Sequence, residues 1–203
     1  MTAKHEIARD DILPMADYAR ERKERRRALV EAKKHRRLEV GPDCSFYFEN
    51  YETMWNQVHE MLFIEKGGEA QIADELSAYN PLIPKSRELM ATVMFEIDDP
   101  VRRGALLARL GGIEETAFIR IGGETIRGIP EADLDRTSAA GKASSVQFIH
   151  FPFTDAQVAA FRGEEADGGG DAAEVVVGFG HPESAHTAVL PEAVRQALAQ
   201  DFD

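Results

Sequence analysis

Apolar side chains recur at helical spacing in three segments of the N-terminal part of the chain. This spacing predicts a first helix from residue 10 or 11 to about residue 38, a second over residues 50–65 and a third over residues 69–79. Glycine or proline follows each segment and would end each helix. Residues 10–84 are therefore predicted to form a three-helix region.

From Leu89 onward the period of the pattern changes to two, which indicates a strand: one set is Leu89, Ala91, Val93, Phe95 and Ile97, and the set between them is Met90, Thr92, Met94 and Glu96. A strand is predicted over residues 89–97 and a helix over residues 99–110. A hairpin with strands over residues 117–121 and 124–127 follows. The same order recurs about 57 residues further along. This second occurrence covers residues 146–153, 154–161, 175–180 and 186–190, and a last helix follows over residues 191–200.

These elements predict an α+β protein. A three-helix N-terminal region would be followed by a mostly antiparallel sheet of about six strands, built from two strand-helix-strand-strand units with helices on one face. The chain would divide into a helical region, residues 1–84, and a sheet region, residues 85–203. The segment 163–173, rich in glycine and acidic residues, is predicted to be a flexible surface loop.

The composition is that of a folded protein. The chain has 203 residues, 43% of them apolar, and this is enough to bury a substantial core. Its single cysteine cannot form an internal disulfide, and its start lacks the apolar stretch that directs secretion or spans a membrane. We therefore expect a cytoplasmic protein that makes no contact with a membrane.

Charge is distributed unevenly along the chain. Residues 20–37 hold ten Lys and Arg against three Glu, a net charge of +7, so the remainder carries −19 of the total of −12. We expect this basic segment to dock either onto the protein's own acidic body, which is favoured, or onto an acidic protein partner. Nucleic acid is disfavoured because the acidic remainder repels phosphate and the segment has no aromatic residue to stack on a base. A homo-oligomer is a further alternative.

The second predicted helix holds a candidate acid–base site. Glu52 and His59 share one helical face, and Glu60 is adjacent in sequence to His59. A carboxylate close to an imidazole can transfer protons, so His59, Glu52 and Glu60 are the candidate catalytic residues. The structural alternative is that Glu52 or Glu60 pairs with the basic first helix.

Two aromatic residues on the same helix are candidate cofactor-binding residues. Tyr51 and Trp55 lie on its apolar stripe, where they could exclude water from a site. The sequence does not identify a cofactor; a metal ion is favoured over haem. The helix lacks the Glu-x-x-His pair of a di-iron site and the second His of a zinc-protease helix, so any metal there needs ligands from elsewhere.

Histidines elsewhere supply candidate metal ligands. If Pro182–Ala185 forms a four-residue hairpin loop, His181 and His186 stand opposite each other with side chains about 5 Å apart. His150, on another strand, is a candidate third nitrogen ligand, and Glu49 is a candidate carboxylate ligand. The structural alternative is a pair of histidines that hydrogen-bond within a turn.

Several segments together resemble a known family. They are the aromatic-rich stretch 46–69, residues 75–84, Phe95-Glu-Ile-Asp98 and residues 178–186, and the resemblance covers essentially the whole chain. The family is an uncharacterised bacterial one, a domain of unknown function of about this length. Its genes are often found beside those of rubrerythrin-like proteins and iron–sulfur oxidoreductases, so the resemblance implies a redox or oxidative-stress setting. It implies no catalytic residues.

Two functions are consistent with these features. The first is a cytoplasmic accessory or binding protein of a redox system that holds a metal or haem through His and Glu and docks an acidic partner with its basic helix. The second is a small metal-dependent or acid–base enzyme that uses His59 with Glu52 or Glu60. A third interpretation is purely structural and leaves all of these groups paired or solvated.

Overall fold

The structure is a computed structural model that describes residues 4–131, 137–138, 141–164 and 173–203. These residues form six α-helices and nine strands. The helices are α1 (Met15–Lys33), α2 (Tyr51–Glu65), α3 (Glu69–Tyr79), α4 (Pro100–Leu107), α5 (Asp155–Arg162) and α6 (Glu192–Leu198). The strands are β1 (Arg37–Glu39), β2 (Cys44–Glu49), β3 (Glu88–Phe95), β4 (Ala117–Ile121), β5 (Glu124–Arg127), β6 (Ile129–Pro130), β7 (Val146–Pro152), β8 (Val175–Phe179) and β9 (Thr187–Val189).

The strands form two antiparallel sheets. The larger sheet has the order β1-β2-β3-β7-β6 and the smaller sheet has the order β5-β4-β8-β9. On β3, Leu89, Ala91 and Val93 belong to the same hydrophobic core as Ile119 and Val177 of the smaller sheet. The two sheets therefore pack face to face.

Helices α1 to α3 cover the other face of the larger sheet. Met90 alternates with Leu89 and Ala91 along β3 and joins a second hydrophobic core with Val58 of α2 and Ile72 of α3. All three β3 residues are fully buried, so this strand is covered on both faces. The order of the layers is helices, larger sheet, smaller sheet.

The predicted strand-helix-strand-strand order occurs twice, as β3-α4-β4-β5 and as β7-α5-β8-β9. The prediction of one sheet of about six strands is wrong. The first strands of the two units pair with each other in the larger sheet, and β4 pairs with β8 in the smaller sheet. The physical reason is that β3 has apolar residues on both faces, so its second face needs another apolar layer.

The N-terminal helices do not form an uninterrupted three-helix region, and that prediction is also wrong. Helix α1 ends at Lys33, not near residue 38, and strands β1 and β2 lie between α1 and α2. Phe46 and Phe48 of β2 are buried between the sheets, and Tyr47 is more exposed, an alternation typical of a strand. Arg37 of β1 pairs with Tyr47 in the same sheet.

Strand β2 belongs to the predicted helical region, residues 1–84, and strand β3 belongs to the predicted sheet region, residues 85–203. The two strands pair with each other in the larger sheet. The division into a helical and a sheet region stays a prediction. The predicted flexible loop, residues 163–173, falls mostly outside the described residues. Within the residues that are described, no helix combines the length and the apolar character needed to cross a bilayer.

Candidate functional site

His59 lies at the centre of the helical layer and is completely buried. Its Nδ1–H donates to the carbonyl oxygen of Trp55 at 2.7 Å, and its Nε2 accepts from the backbone N–H of Leu13 at 3.1 Å. The ring also packs against the indole of Trp55, with 3.7 Å between the centroids and an angle of 31° between the ring planes. Burial lowers the pKa of His59, so the neutral form is favoured. Both nitrogens bond to backbone groups, and neither bonds to Glu52 or Glu60.

Glu60 faces the basic first helix. The Nε and one terminal nitrogen of Arg22 each donate to its carboxylate at 2.8 Å, and the hydroxyl of Tyr18 donates at 2.7 Å. The Arg22 hydrogen bond is the main cause that lowers the pKa of Glu60 to about 2. Glu60 is thus a charged anchor for α1 at neutral pH.

The remaining candidates on α2 are held by neighbouring residues or face solvent. The indole N–H of Trp55 donates to the carbonyl oxygen of Asp11 at 2.9 Å, and the guanidinium of Arg25 lies 4.5 Å above its ring. Lys4 lies 5.1 Å from the ring centroid of Tyr51. Glu52 is exposed at the surface. Trp55 therefore fastens the N-terminal segment and α1 to α2.

The histidine hairpin differs in register from the prediction. Gly178 pairs with Thr187, and His181 forms a bridge with Ser184, so His181 does not stand opposite His186. The Nε2–H of His181 donates to the carbonyl oxygen of Gly111 at 3.2 Å, and its Nδ1 accepts from the backbone N–H of Glu183 at 3.2 Å. Two hydrogen bonds thus fix the imidazole within the turn.

His186 lies against Gly41. A Cβ atom added to this glycine would come within 2.6 Å of the Cγ of His186, and the positive φ of 72° also favours glycine there. The contact joins the tip of the smaller sheet to the loop between β1 and β2. This contact does not place His186 next to His150 or His181, the other two histidines that are predicted to be metal ligands.

His150 lies between two carboxylates. Its Nδ1 is 2.9 Å from Glu88 and its Nε2 is 3.0 Å from Glu131. Burial lowers the pKa of His150, but the hydrogen bonds and negative charges of the two carboxylates outweigh burial and raise it. Because each nitrogen faces an acceptor, the arrangement fits the doubly protonated ring.

Glu49 is buried at the end of β2. One carboxylate oxygen accepts from the hydroxyl of Thr92 at 2.8 Å, and the other has no hydrogen-bond partner among the described residues. Within that same part of the chain, no three His, Cys, Asp or Glu side chains are grouped so that they could hold a metal ion. The assignment of His150, His181, His186 and Glu49 as ligands stays a prediction.

A surface groove lies along α1 beside the end of α2 and has a volume of about 790 Å³. We call it the α1–α2 groove. Its lining is basic and apolar and consists of Ala19, Arg22, Lys23, Arg26, Arg27, Val30, Glu31 and Phe63.

Two charges in the α1–α2 groove are neutralised within the protein, and three are not. Arg22 pairs with Glu60, and Glu31 pairs with Lys34 at 2.7 Å. Over the ranges that the structure describes, Lys23, Arg26 and Arg27 make no hydrogen bond or salt bridge. Arg26 is close enough to Glu60 for its charge to help lower the pKa of that carboxylate. The groove therefore presents three cations that have no salt-bridge partner among the described residues.

Helix α1 is thinly packed for its length. Tyr18 is the one buried residue among its 19. The stretch between Ala19 and Ala28 is polar all round in the sequence, and this signal predicts that it is not ordinary core. Sequence reasoning identified the basic segment but missed the apolar groove floor, because Phe63 comes from α2.

Comparison with known proteins places these observations in a family. The family model described as "Protein of unknown function (DUF3501)" matches residues 6–202. The chain is also similar to a crystal structure of a novel protein of unknown function from Burkholderia pseudomallei K96243, with 35% identity and a TM-score of 0.85. That match covers 97% of this chain and 99% of the other. A search of curated proteins finds no match.

Proposed function

We propose a binding function for this chain, which belongs to the DUF3501 family of proteins of unknown function. In this proposal it is a cytoplasmic accessory protein of a redox or oxidative-stress system and docks an acidic protein partner in the α1–α2 groove. One observation carries the proposal: Lys23, Arg26 and Arg27 line one groove and form no salt bridge with any described residue, although the protein has a net charge of −12. The redox setting is supported by the family resemblance alone.

The range of electrostatic forces explains how an acidic protein can bind a patch on another acidic protein. The Debye length at physiological salt is about 8 Å. A compact acidic surface that docks in the groove is therefore attracted mainly by the cations that it contacts, because salt screens its repulsion from more distant acidic residues. A long polyanion would extend past the groove and meet the acidic remainder. This difference favours a protein partner over nucleic acid.

The state of the predicted catalytic groups also supports binding over acid–base chemistry. His59 is buried with both ring nitrogens bonded to backbone, and Glu60 is held by Arg22 and Tyr18. A general base must reach the proton that it abstracts. In this arrangement the two groups instead fasten the N-terminal segment and α1 onto α2, which builds the groove.

Metal or haem binding is not part of the proposal. The ring nitrogens of His59, His150 and His181 all lie within hydrogen-bonding distance of protein groups. A ligand nitrogen would have to give up such a bond to reach a metal. Elemental analysis and an absorption spectrum of freshly purified protein test this part directly, and a stoichiometric metal or a Soret band would contradict it.

Binding of a defined acidic probe tests the proposal. A polyglutamate peptide of about 15 residues is titrated into the protein at low and at physiological salt. The test variant is Lys23→Gln/Arg26→Gln/Arg27→Gln, and the matched control is Arg120→Gln/Arg127→Gln/Lys142→Gln, three exposed cations elsewhere. We expect binding that weakens with salt and falls about tenfold in the test variant, since each exposed pair contributes a modest amount. Equal weakening in both variants, or no binding at all, would contradict the proposal.

A further inference from the structure

We infer that the partner element in the α1–α2 groove is an amphipathic helix with an apolar stripe flanked by acidic residues. This inference rests on the proposed function and adds the shape and the chemistry of the docked segment. It depends on the walls of the groove, on its length, on its exposed apolar residues and on the spacing of its cations.

The walls favour a helix over an extended peptide. All but one of the lining residues belong to α1, and the other is Phe63 of α2, so the backbone along the groove is mostly hydrogen-bonded within α1 already. An extended peptide gains much of its affinity from pairing with the free edge of a sheet, and no such edge lines this groove. A helix satisfies its own backbone and needs only side-chain contacts.

The dimensions fit about three helical turns. The groove runs along α1 from Ala19 to Glu31, which at about 1.5 Å per residue corresponds to about 18 Å. A docked helix lying along it would make contact over about 12 residues. This length is typical of segments that bind in a helix-lined groove.

Exposed apolar residues supply the floor for the apolar stripe. Val30 is 59% exposed, and the ring of Phe63 lies 4.6 Å beneath the guanidinium of Arg22. Ile64 follows Phe63 on α2, is 61% exposed and lies beside the groove, outside its lining. Among the large apolar residues that the structure shows to be exposed, Val30 and Ile64 are the pair found on these two helices.

The cations are spaced to meet acids on a helix. Lys23, Arg26 and Arg27 are three and four residues apart and so lie along one side of α1. Acidic residues with the same spacing on the partner would face all three. The apolar floor has no counterpart in a phosphate backbone, and a base that stacked on the outer face of the Phe63 ring would have to displace Arg22 from it. A lipid surface is flat and fits a concave groove poorly.

Two peptides of equal charge separate this inference from the broader proposal. Each has about 14 residues of Glu, Ala and Leu; one spaces its leucines three and four apart, and the other distributes the same leucines around the helix. We expect the striped peptide to bind at least about tenfold more tightly, which corresponds to burying one or two exposed side chains. Circular dichroism checks that both peptides have similar helicity.

Substitutions at two exposed apolar residues, Val30 in the lining and Ile64 beside it, locate the binding site. Val30→Ser/Ile64→Ser should remove the advantage of the striped peptide and leave the binding of polyglutamate unchanged. Val101→Ser, at a valine that is 79% exposed on α4, is the matched control and should have no effect. All three positions are exposed, so the unfolding temperatures should match that of the parent protein.

Each other outcome has a definite meaning. If both peptides bind equally and only the loss of the cations weakens their binding, the inference of an amphipathic helix is overturned. The proposal of an acidic protein partner is then still supported. Failure of both peptides and of polyglutamate overturns the two proposals together. Tighter binding of single-stranded DNA or of phosphatidylserine vesicles assigns the groove to another class of partner. A dimer in sedimentation that Val30→Ser/Ile64→Ser dissociates assigns it to a second copy of the chain.

Discussion

Arg36 and Asp201 lie 165 positions apart in the chain and form an ion pair in which both side chains are more than nine-tenths buried. Arg36 also donates to the carbonyl oxygens of Phe48 at 2.9 Å and Glu49 at 3.1 Å. One guanidinium therefore joins the segment after α6 to the start of β1 and the end of β2. The larger sheet and the C-terminal segment are connected through this side chain.

Removing one partner of this pair should be strongly destabilising. In Asp201→Ala the guanidinium of Arg36 stays buried without its carboxylate, and we expect a loss of about 3–5 kcal/mol in the free energy of unfolding. Urea denaturation measures it. The double variant Arg36→Met/Asp201→Ala removes both charges and should be less destabilised than the sum of its single variants. Additive losses would show that the two charges are not coupled.

The Arg22–Glu60 contact should stabilise the protein in a pH-dependent way. Arg22 lowers the pKa of Glu60 from 4.5 to about 2, so its contribution is present above pH 4.5 and is lost as the pH falls towards 2. Glu60→Gln should cost about 1–2 kcal/mol at pH 7 and almost nothing near pH 2. Denaturation curves of both proteins between these limits test this expectation. A difference that does not change with pH would mean that the ion pair contributes nothing.

The Glu88–His150–Glu131 contact should respond to pH in the opposite direction. The folded protein raises the pKa of His150 above its ordinary value of 6.5, so the contribution is fully present below pH 6.5 and is lost as the pH rises through the raised value. His150→Gln should therefore be less stable than the parent at pH 6 and closer to it at pH 9. The exposed His186→Gln serves as control. If His150→Gln shows the same deficit at both pH values, the charged ring is not what holds the two carboxylates.

Sequence patterns predicted the elements that depend on local spacing. Helices α2 and α3, strand β3 and both hairpins lie close to their predicted positions because periodicity within one element is visible in the sequence. The prediction of one sheet failed because Met90 and Ala91 are both fully buried, and alternation cannot show that a strand is covered on its two faces. Strand β1 was missed because its short segment becomes a strand only by pairing with β2.

The assignment of catalytic residues on α2 stays a prediction, but sequence spacing could not show how His59 is bonded. Spacing on α2 placed His59 near two glutamates, but its hydrogen-bond acceptor site is occupied by the backbone N–H of Leu13, 46 residues earlier. No spacing rule within one helix can reveal such a contact. The α1–α2 groove is likewise formed by two helices separated by strands β1 and β2, so the sequence shows its charges and not its apolar floor.

The protonation state of His59 distinguishes a structural role from acid–base catalysis. Because Nδ1 donates to Trp55 and Nε2 accepts from Leu13, the ring should be neutral with its proton on Nδ1 at pH 7. Burial lowers its pKa below 6.5, so protein stability should fall as the pH drops below 6.5, where the unfolded chain takes up a proton that the folded chain does not. Nitrogen-15 NMR of labelled histidine measures the tautomer and the titration.

Substitution of His59 completes this test. Gln can donate one hydrogen bond and accept another, so His59→Gln should lose less stability than His59→Leu. The leucine leaves the backbone N–H of Leu13 without its acceptor, at a cost of about 1–3 kcal/mol, while the Trp55 carbonyl keeps its bond within α2. Chemical denaturation gives the order of the two variants. If His59 instead titrates with an ordinary pKa and both variants are as stable as the parent, the ring exchanges protons freely, and the acid–base enzyme becomes the better interpretation.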